Sequence, residues 1–476
     1  MSEPTRGDRR RVVIIGGGPA GLTAAHALLK AGVASVVLEK DRQVGGHART
    51  VAHQGYLFDV GGHRFFTKIP EVARIWREVM DDRFLKVRRL SRIHYRGRFF
   101  HYPLKPFQAL WRMGLFESAW VVLSYLRKKL LPYPQETNLE EWMCNRFGRR
   151  LFMMFFKAYT EKVWGLACTE IRAEWAAQRI KTLTLWSAVR SALVPGPSKH
   201  RSLIEEFEYP ERGPGMLWER MAERLARAGQ PVRLEREVVR LRRAGFRVEG
   251  VLTRGPAGED EERGSHVIAS MPLPELVLAL DPPAPAEIQA DARGLRHRDF
   301  ITVALVLRRA DVFPDNWLYI HTPDVSVARI QNYKNWSRAM VPDPDTTCLG
   351  LEYFCWEGDP LWSLPDAALV DLARRELDVL GIARASEVAD GTVVRQRKAY
   401  PVYDAQYRGH LDRLRDYLLR FENLQMVGRN GLHKYNNQDH AMLTALLAVR
   451  NLLGERHDVW AVNTEEEYHE AYPTGE

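Results

Sequence analysis

The chain alternates between short apolar runs and amphipathic stretches. Val12 to Ile15 is a continuous apolar run of buried-strand type, and Ser35 to Leu38 is a second one. Between them, Leu22 to Lys30 has helical period and stops at Gly32. Residues 147–180 have helical period and many aromatics, with Phe152, Phe155, Phe156 and Tyr159 spaced like core positions. Residues 233–255 read as short strands, and "GPAGEDEERG" (255–264) as a charged hairpin tip. Apolar strands are expected at Ile301 to Leu307, Cys348 to Phe354 and Leu424 to Val427. A helix is expected from about His440. The Pro-rich joints "PGPSKH" (195–200) and "DPPAPAEIQ" (281–289) separate these blocks. They predict an α/β chain with α+β insertions. A discontinuous Rossmann-like nucleotide domain takes 1–100, 206–280 and 396–476, a helical insertion 101–205, and an antiparallel sheet domain 281–395.

Composition adds limits. Of 476 residues, 45% are hydrophobic and 27% charged, which is ordinary for a globular chain. The net charge of +9 suits an acidic substrate or a membrane surface. No basic stripe with interleaved aromatics speaks for nucleic acid. The four cysteines form no metal-ligand spacing, so no metal is expected. No apolar run reaches the roughly 20 residues that span a bilayer. The expected location is cytoplasmic, with contact to a membrane surface left open. The stretch 115–134, apolar with basic residues late in it, is read as a buried helix of the helical lobe.

The N-terminal run carries chemistry. Gly16, Gly18 and Gly21 form GxGxxG between strand and helix, and Glu39 ends the next strand. Gly16 permits the tight turn, Gly18 lets the backbone approach a pyrophosphate, and Gly21 brings helix and strand together. The helix N-terminus offers free N–H groups to phosphates. Glu39 can accept from ribose hydroxyls, with Lys40 beside it. "GRNGLHKYNNQDHAM" (428–442) packs donors and acceptors ahead of a good helix, where buried polar groups need partners.

The following residues resemble a known group. Gly45 and Gly46 in "EKDRQVGGHART" (39–50), and Asp59, Gly61, Gly62 and His63 in "YLFDVGGHRFF" (56–66), resemble the flavoproteins of the amine oxidase, protoporphyrinogen oxidase and UDP-galactopyranose mutase group. The resemblance implies FAD. The glycine doublet continues the pyrophosphate site, and 59–63 runs beside the flavin ring. The backbone of Val238 meets the adenine. Gly428, Arg429, Asn437, Gln438 and Asp439 cover the phosphates and ribityl chain.

"YTEKVWG" (159–165) resembles the helical-domain signature of the mutases. By the same resemblance Arg179 and Arg329 clamp a nucleotide diphosphate, with Trp317, Tyr319 and Tyr333 lining the approach. Tyr400 lies over the sugar, Tyr435 matches another active-site tyrosine, and His63 sits in a loop that responds to flavin redox state. The implied function is a nucleotide-sugar mutase. It interconverts pyranose and furanose through a reduced-FAD N5–sugar adduct, with no net redox change and an external reductant. "HYPLKPFQ" (101–108) departs from the mutase pattern by an insertion, and 457–476 has no counterpart. The alternative is an FAD-dependent oxidoreductase of protoporphyrinogen oxidase or desaturase type, acting on an apolar or lipid-linked substrate. His433 and His440 are acid–base candidates, with cofactor contact or capping as their plainer roles.

Overall fold

Five short parallel strands, in the order 424–426, 266–269, 12–15, 35–38 and 232–233, hold the nucleotide end together. The computed structural model describes residues 11–104, 106–173 and 205–463. The strands Val12–Ile15 and Ser35–Leu38 are buried at every position. Such runs form where a parallel sheet is covered on both faces. The helices Pro19–Lys30, Gly215–Arg227 and Gln438–Leu452 share one apolar core with this sheet. An antiparallel meander, 237–244, 247–255 and 258–262, stands beside it.

The second layer is a seven-stranded sheet in the order 388–401, 297–307, 347–355, 329–332, 317–320, 91–95, 98–101. Its second and third strands, His297–Leu307 and Thr347–Cys355, are buried along their whole length. The sheet crosses the expected domain limits. Ser91–Tyr95 pairs in parallel with Trp317–Ile320, so the sheet begins before residue 101. The strand Val388–Pro401 runs through the expected joint at 396. Conversely, the helix Ala286–Gly294 packs into the nucleotide-end core, where Asp291 accepts from Arg413 and meets His410.

The helical lobe comprises Pro106–Met113, Leu115–Leu130, Leu139–Phe147 and the run 149–164, with a π turn at Met153–Lys157. The "YTEKVWG" residues dock this lobe on the large sheet. The Lys162 ammonium donates to the carbonyls of Thr322 (2.6 Å), Val327 (3.1 Å) and Ile320 (3.4 Å). Burial lowers its pKa to about 8. Gly165 ends the helix at φ +65, and a Cβ there would strike the Arg298 guanidinium at 2.4 Å. Tyr159 stacks on His321, centroids 4.7 Å apart.

One expectation for this lobe fails. The helix Leu115–Leu130 buries Val121, while Leu115 and Phe116 are 88% and 90% exposed. It lies on the surface with apolar side chains outward.

Candidate functional site

A cleft of about 400 Å³ runs between the parallel sheet and the seven-stranded sheet. That size falls in the usual range for ligand clefts, roughly 300–1,000 Å³. Two helix N-termini face it. The first helix starts at Gly18, with no side chain capping its N–H groups. The second starts after Asn437.

The glycine end is built from backbone. Gly16 has φ +102, and a Cβ there would lie 2.2 Å from the Ser270 hydroxyl. A Cβ on Gly21 would lie 1.9 Å from the Gly16 carbonyl oxygen, so helix and strand meet without room for a methyl group. Gly18 differs. A Cβ there would touch only Gly45 and Gly46, no closer than 3.7 Å, so the fold does not demand glycine at that position. The cleft wall does, if a ligand's backbone-sized group is to lie on it. Gly45 has φ +103 and its N–H donates to the Gly17 carbonyl at 2.9 Å, which pins the second glycine loop to the first.

Glu39 is buried at the end of its strand and accepts from the N–H groups of Gly17 (2.5 Å) and Asp41 (2.9 Å). Burial raises its pKa, and these two bonds oppose the rise. Lys40, Gly46, Gly61, Gly62, Val238, Gly428, Asn437, Gln438 and Asp439 all line the same cleft, with Gly16, Gly18 and Glu39. Gly21 and Gly45 stand behind the wall as packing and turn residues. Arg49, which sequence reading passed over, also lines it and donates to the Gly46 carbonyl (2.8 Å) and Gln396 (2.6 Å).

The other end is built from side chains. Arg329 and Glu352 face each other on paired strands, with Nε to Oε2 at 2.5 Å. Glu352 is fully buried and also accepts from Gln331 at 3.0 Å. The carboxylate and nearby tyrosines hold the Arg329 pKa well above its ordinary value despite burial. An Arg329 terminal nitrogen donates to the Tyr400 hydroxyl at 3.1 Å. Tyr400 stacks on Tyr435 with centroids 5.5 Å apart, and Arg429 lies over both rings. Arg429 itself donates to the carbonyls of Asn436 (2.8 Å) and Ala399 (3.0 Å), so its charge is fixed in place. Arg329, Tyr400, Arg429, Tyr435 and His63 all line the cleft. His63 meets the Val60 carbonyl at 3.2 Å. Burial lowers its pKa to about 4, so its ring is neutral at ordinary pH. Arg179 lies outside the described residues.

Three expected approach residues sit elsewhere. Tyr333 is buried and donates to the Asp59 carbonyl at 2.9 Å. Trp317 packs in the sheet core with Arg64 over its ring at 5.1 Å, and Tyr319, half-buried, lies against that core. Arg64 does line the cleft. Nor does either acid–base candidate line it. His433 packs against His297, centroids 4.6 Å apart, and burial lowers their pKa values to about 3 and 4. His440 takes the capping role, its ring meeting the Asn437 N–H at 3.4 Å.

Two buried polar atoms on the cleft wall, Asn430 Oδ1 and Gln438 Oε1, have no hydrogen-bond partner among the described residues. Buried acceptors without partners are costly, so they point to a polar ligand between the two helix ends. A dinucleotide fits this set. Its pyrophosphate would meet the N–H groups at Gly18 and Gly46, its ribose Glu39, and its ribityl hydroxyls Asn430 and Gln438. Among the described residues no cluster of His, Cys, Asp and Glu would hold a metal ion, and no helix is long and apolar enough to cross a membrane.

Comparison with known proteins agrees with the fit. The chain is 37% identical over 133 residues to an L-amino-acid oxidase of Crotalus adamanteus, covering 28% of this chain and 21% of the relative. It is 32% identical over 90 residues to protoporphyrinogen oxidase 2 of Arabidopsis thaliana, covering 19% of this chain and 17% of that protein. The matched part is thus about a fifth of the length of these curated relatives. A solved reduced UDP-galactopyranose mutase superposes with a TM-score of 0.82 at 20% identity, covering 96% of each chain. A putative protoporphyrinogen oxidase from Exiguobacterium gives 0.69 at 18% identity, covering 93% of this chain and 98% of that one. At such identities the likeness is one of fold. The family model for flavin containing amine oxidoreductases matches residues 19–453. The chain belongs to that family, and its cofactor is FAD.

Proposed function

We propose that this flavoenzyme is a mutase acting on a nucleotide-diphosphate sugar, without net redox change. The observation that carries the reading is the cationic and aromatic wall of Arg329, Tyr400, Tyr435 and Arg429 beside the 61–63 loop. A desaturase-type enzyme needs an apolar tunnel at this place.

Bound in the cleft and reduced, FAD supplies a nucleophilic N5 to an anomeric carbon. The chain's own residues do the rest. Glu352 fixes the Arg329 guanidinium and keeps it charged; one outer nitrogen donates to Tyr400, and the other is left for a departing diphosphate. Arg179 is proposed as the second arm of that clamp, since paired guanidinium forks suit diphosphate oxygens. Tyr400 is kept protonated by burial and offers a hydroxyl to the sugar. His63, neutral, holds the loop through Val60 rather than moving protons.

The test is anaerobic incubation of dithionite-reduced enzyme with a panel of nucleotide-diphosphate hexopyranoses. A product of unchanged mass, formed only with reduced flavin, is expected. No isomer from any of them, with the reduced flavin reoxidised only once oxygen or a quinone is admitted, would favour the oxidoreductase instead.

A further inference from the structure

We propose that the outward face of the helix Leu115–Leu130 docks the protein on an anionic bilayer surface. The helix is amphipathic in the inverse sense. Val121 points inward at 1% exposure. Phe116, Trp120 and Leu123 follow helical spacing on the other side and are 90%, 62% and 56% exposed. Leu115 and Leu130 extend the stripe at 88% and 80%, and Trp111 of the preceding helix adds to it at 88%. Isolated exposed apolar side chains need no explanation, but a continuous stripe with two tryptophans does.

Charge selects the occupant. Arg112, Arg127 and Lys129 are exposed beside the stripe, while Lys128 turns inward over the Tyr133 ring at 3.3 Å; no residue from 111 to 131 except Glu117 is acidic. Glu117 is already engaged by Arg150 at 2.7 Å. The face therefore has apolar rings for the acyl boundary and ammonium and guanidinium groups for lipid phosphates. A second copy of the chain would bring the same basic residues with no acidic partner on the face to meet them. Among the described residues nothing crosses a membrane, so the contact is of the in-plane kind.

The experiment is co-sedimentation of the flavin-loaded full chain with vesicles of phosphatidylcholine alone or mixed with phosphatidylglycerol. Binding to the mixed vesicles is expected, weaker by roughly tenfold or more at high salt. Phe116→Ser with Trp120→Ser and Leu123→Ser should abolish it. Arg127→Glu with Lys129→Glu should do the same. Both variants should keep their circular dichroism and bound flavin, because these side chains add little to the core. Quenching of wild-type tryptophan fluorescence by brominated lipid, which needs no variant, should report Trp111 and Trp120 in the acyl boundary. Failure of the wild type to sediment with anionic vesicles at low salt overturns the proposal. So does a lipid-free dimer that the serine variant dissolves, since the face would then join two copies.

Discussion

The two ends of the cleft are made by opposite means. At the glycine end the wall around Gly16, Gly18 and Gly46 is backbone, with Glu39, Lys40 and Arg49 at its margin. At the aromatic end the wall is side chains from four separate segments, held by a buried ion pair. The first kind of site comes from one contiguous stretch and tolerates little substitution anywhere in it. The second depends on long-range pairing, so its weakest points lie where no ligand touches.

The sharpest way to break this contrast is Glu352→Gln. It leaves the Arg329 charge buried without its partner and should cost about 3 kcal/mol of stability, read by thermal or urea unfolding. An unchanged midpoint would mean that the aromatic end does not rest on the pair. Gly18→Ala attacks the other end. The fold has room for the methyl group, but the cofactor surface does not. FAD affinity should fall by about tenfold or more while apoprotein stability stays put, measured by flavin titration. A loss of stability instead would make Gly18 a packing residue like Gly21.

Asp59 probes the ground between the ends. It is buried under Tyr209, and burial raises its pKa to about 8 from an ordinary 3.8. The folded state therefore holds a proton that the unfolded chain has lost above the ordinary carboxyl range. Its stabilising contribution is complete at pH below that range and fades as pH rises through about 8. Asp59→Asn should flatten the fall of melting temperature across this interval, whereas an unaltered slope would assign it to other groups. The smallest effect is expected from Tyr403→Phe. The Tyr403 hydroxyl accepts from the Tyr435 N–H at 2.7 Å, and its loss should cost about 1 kcal/mol in unfolding experiments. A null result there would leave Tyr435 held by the Tyr400 stack, Arg429 and Asn463.

The same contrast explains what could be read from the chain. The strands Val12–Ile15 and Ser35–Leu38 are found where the apolar runs predict them. The glycine spacing is a local pattern with a local geometric cause. Glu352 was missed, although an acid inside "TCLGLEYFC" is a signal in itself: a strand buried on both faces cannot carry a carboxylate without a partner. That partner lies on another strand, and one sequence does not give the register. "YTEKVWG" stands out by its order of residues, yet Lys162 serves a cage of carbonyls, and backbone oxygens leave no trace in side-chain patterns. The helix 115–130 misled for a third reason. Apolar period shows that a helix has a greasy face, but not which way the face points.

The parallel sheet has a temporal consequence. Its central strand, 12–15, is flanked by 35–38 and 266–269, and its edge by 424–426. The loop bearing Tyr435 is tied down later still, by Asn463, whose amide donates to the Tyr435 carbonyl at 3.1 Å. A ribosome must therefore pass nearly the whole described chain before the cradle can close. Such distant pairings form slowly and leave apolar edges open meanwhile. Flavin loading then waits until residues 12 to 463 have all emerged, so the cofactor meets a chain whose two cleft walls are already complete.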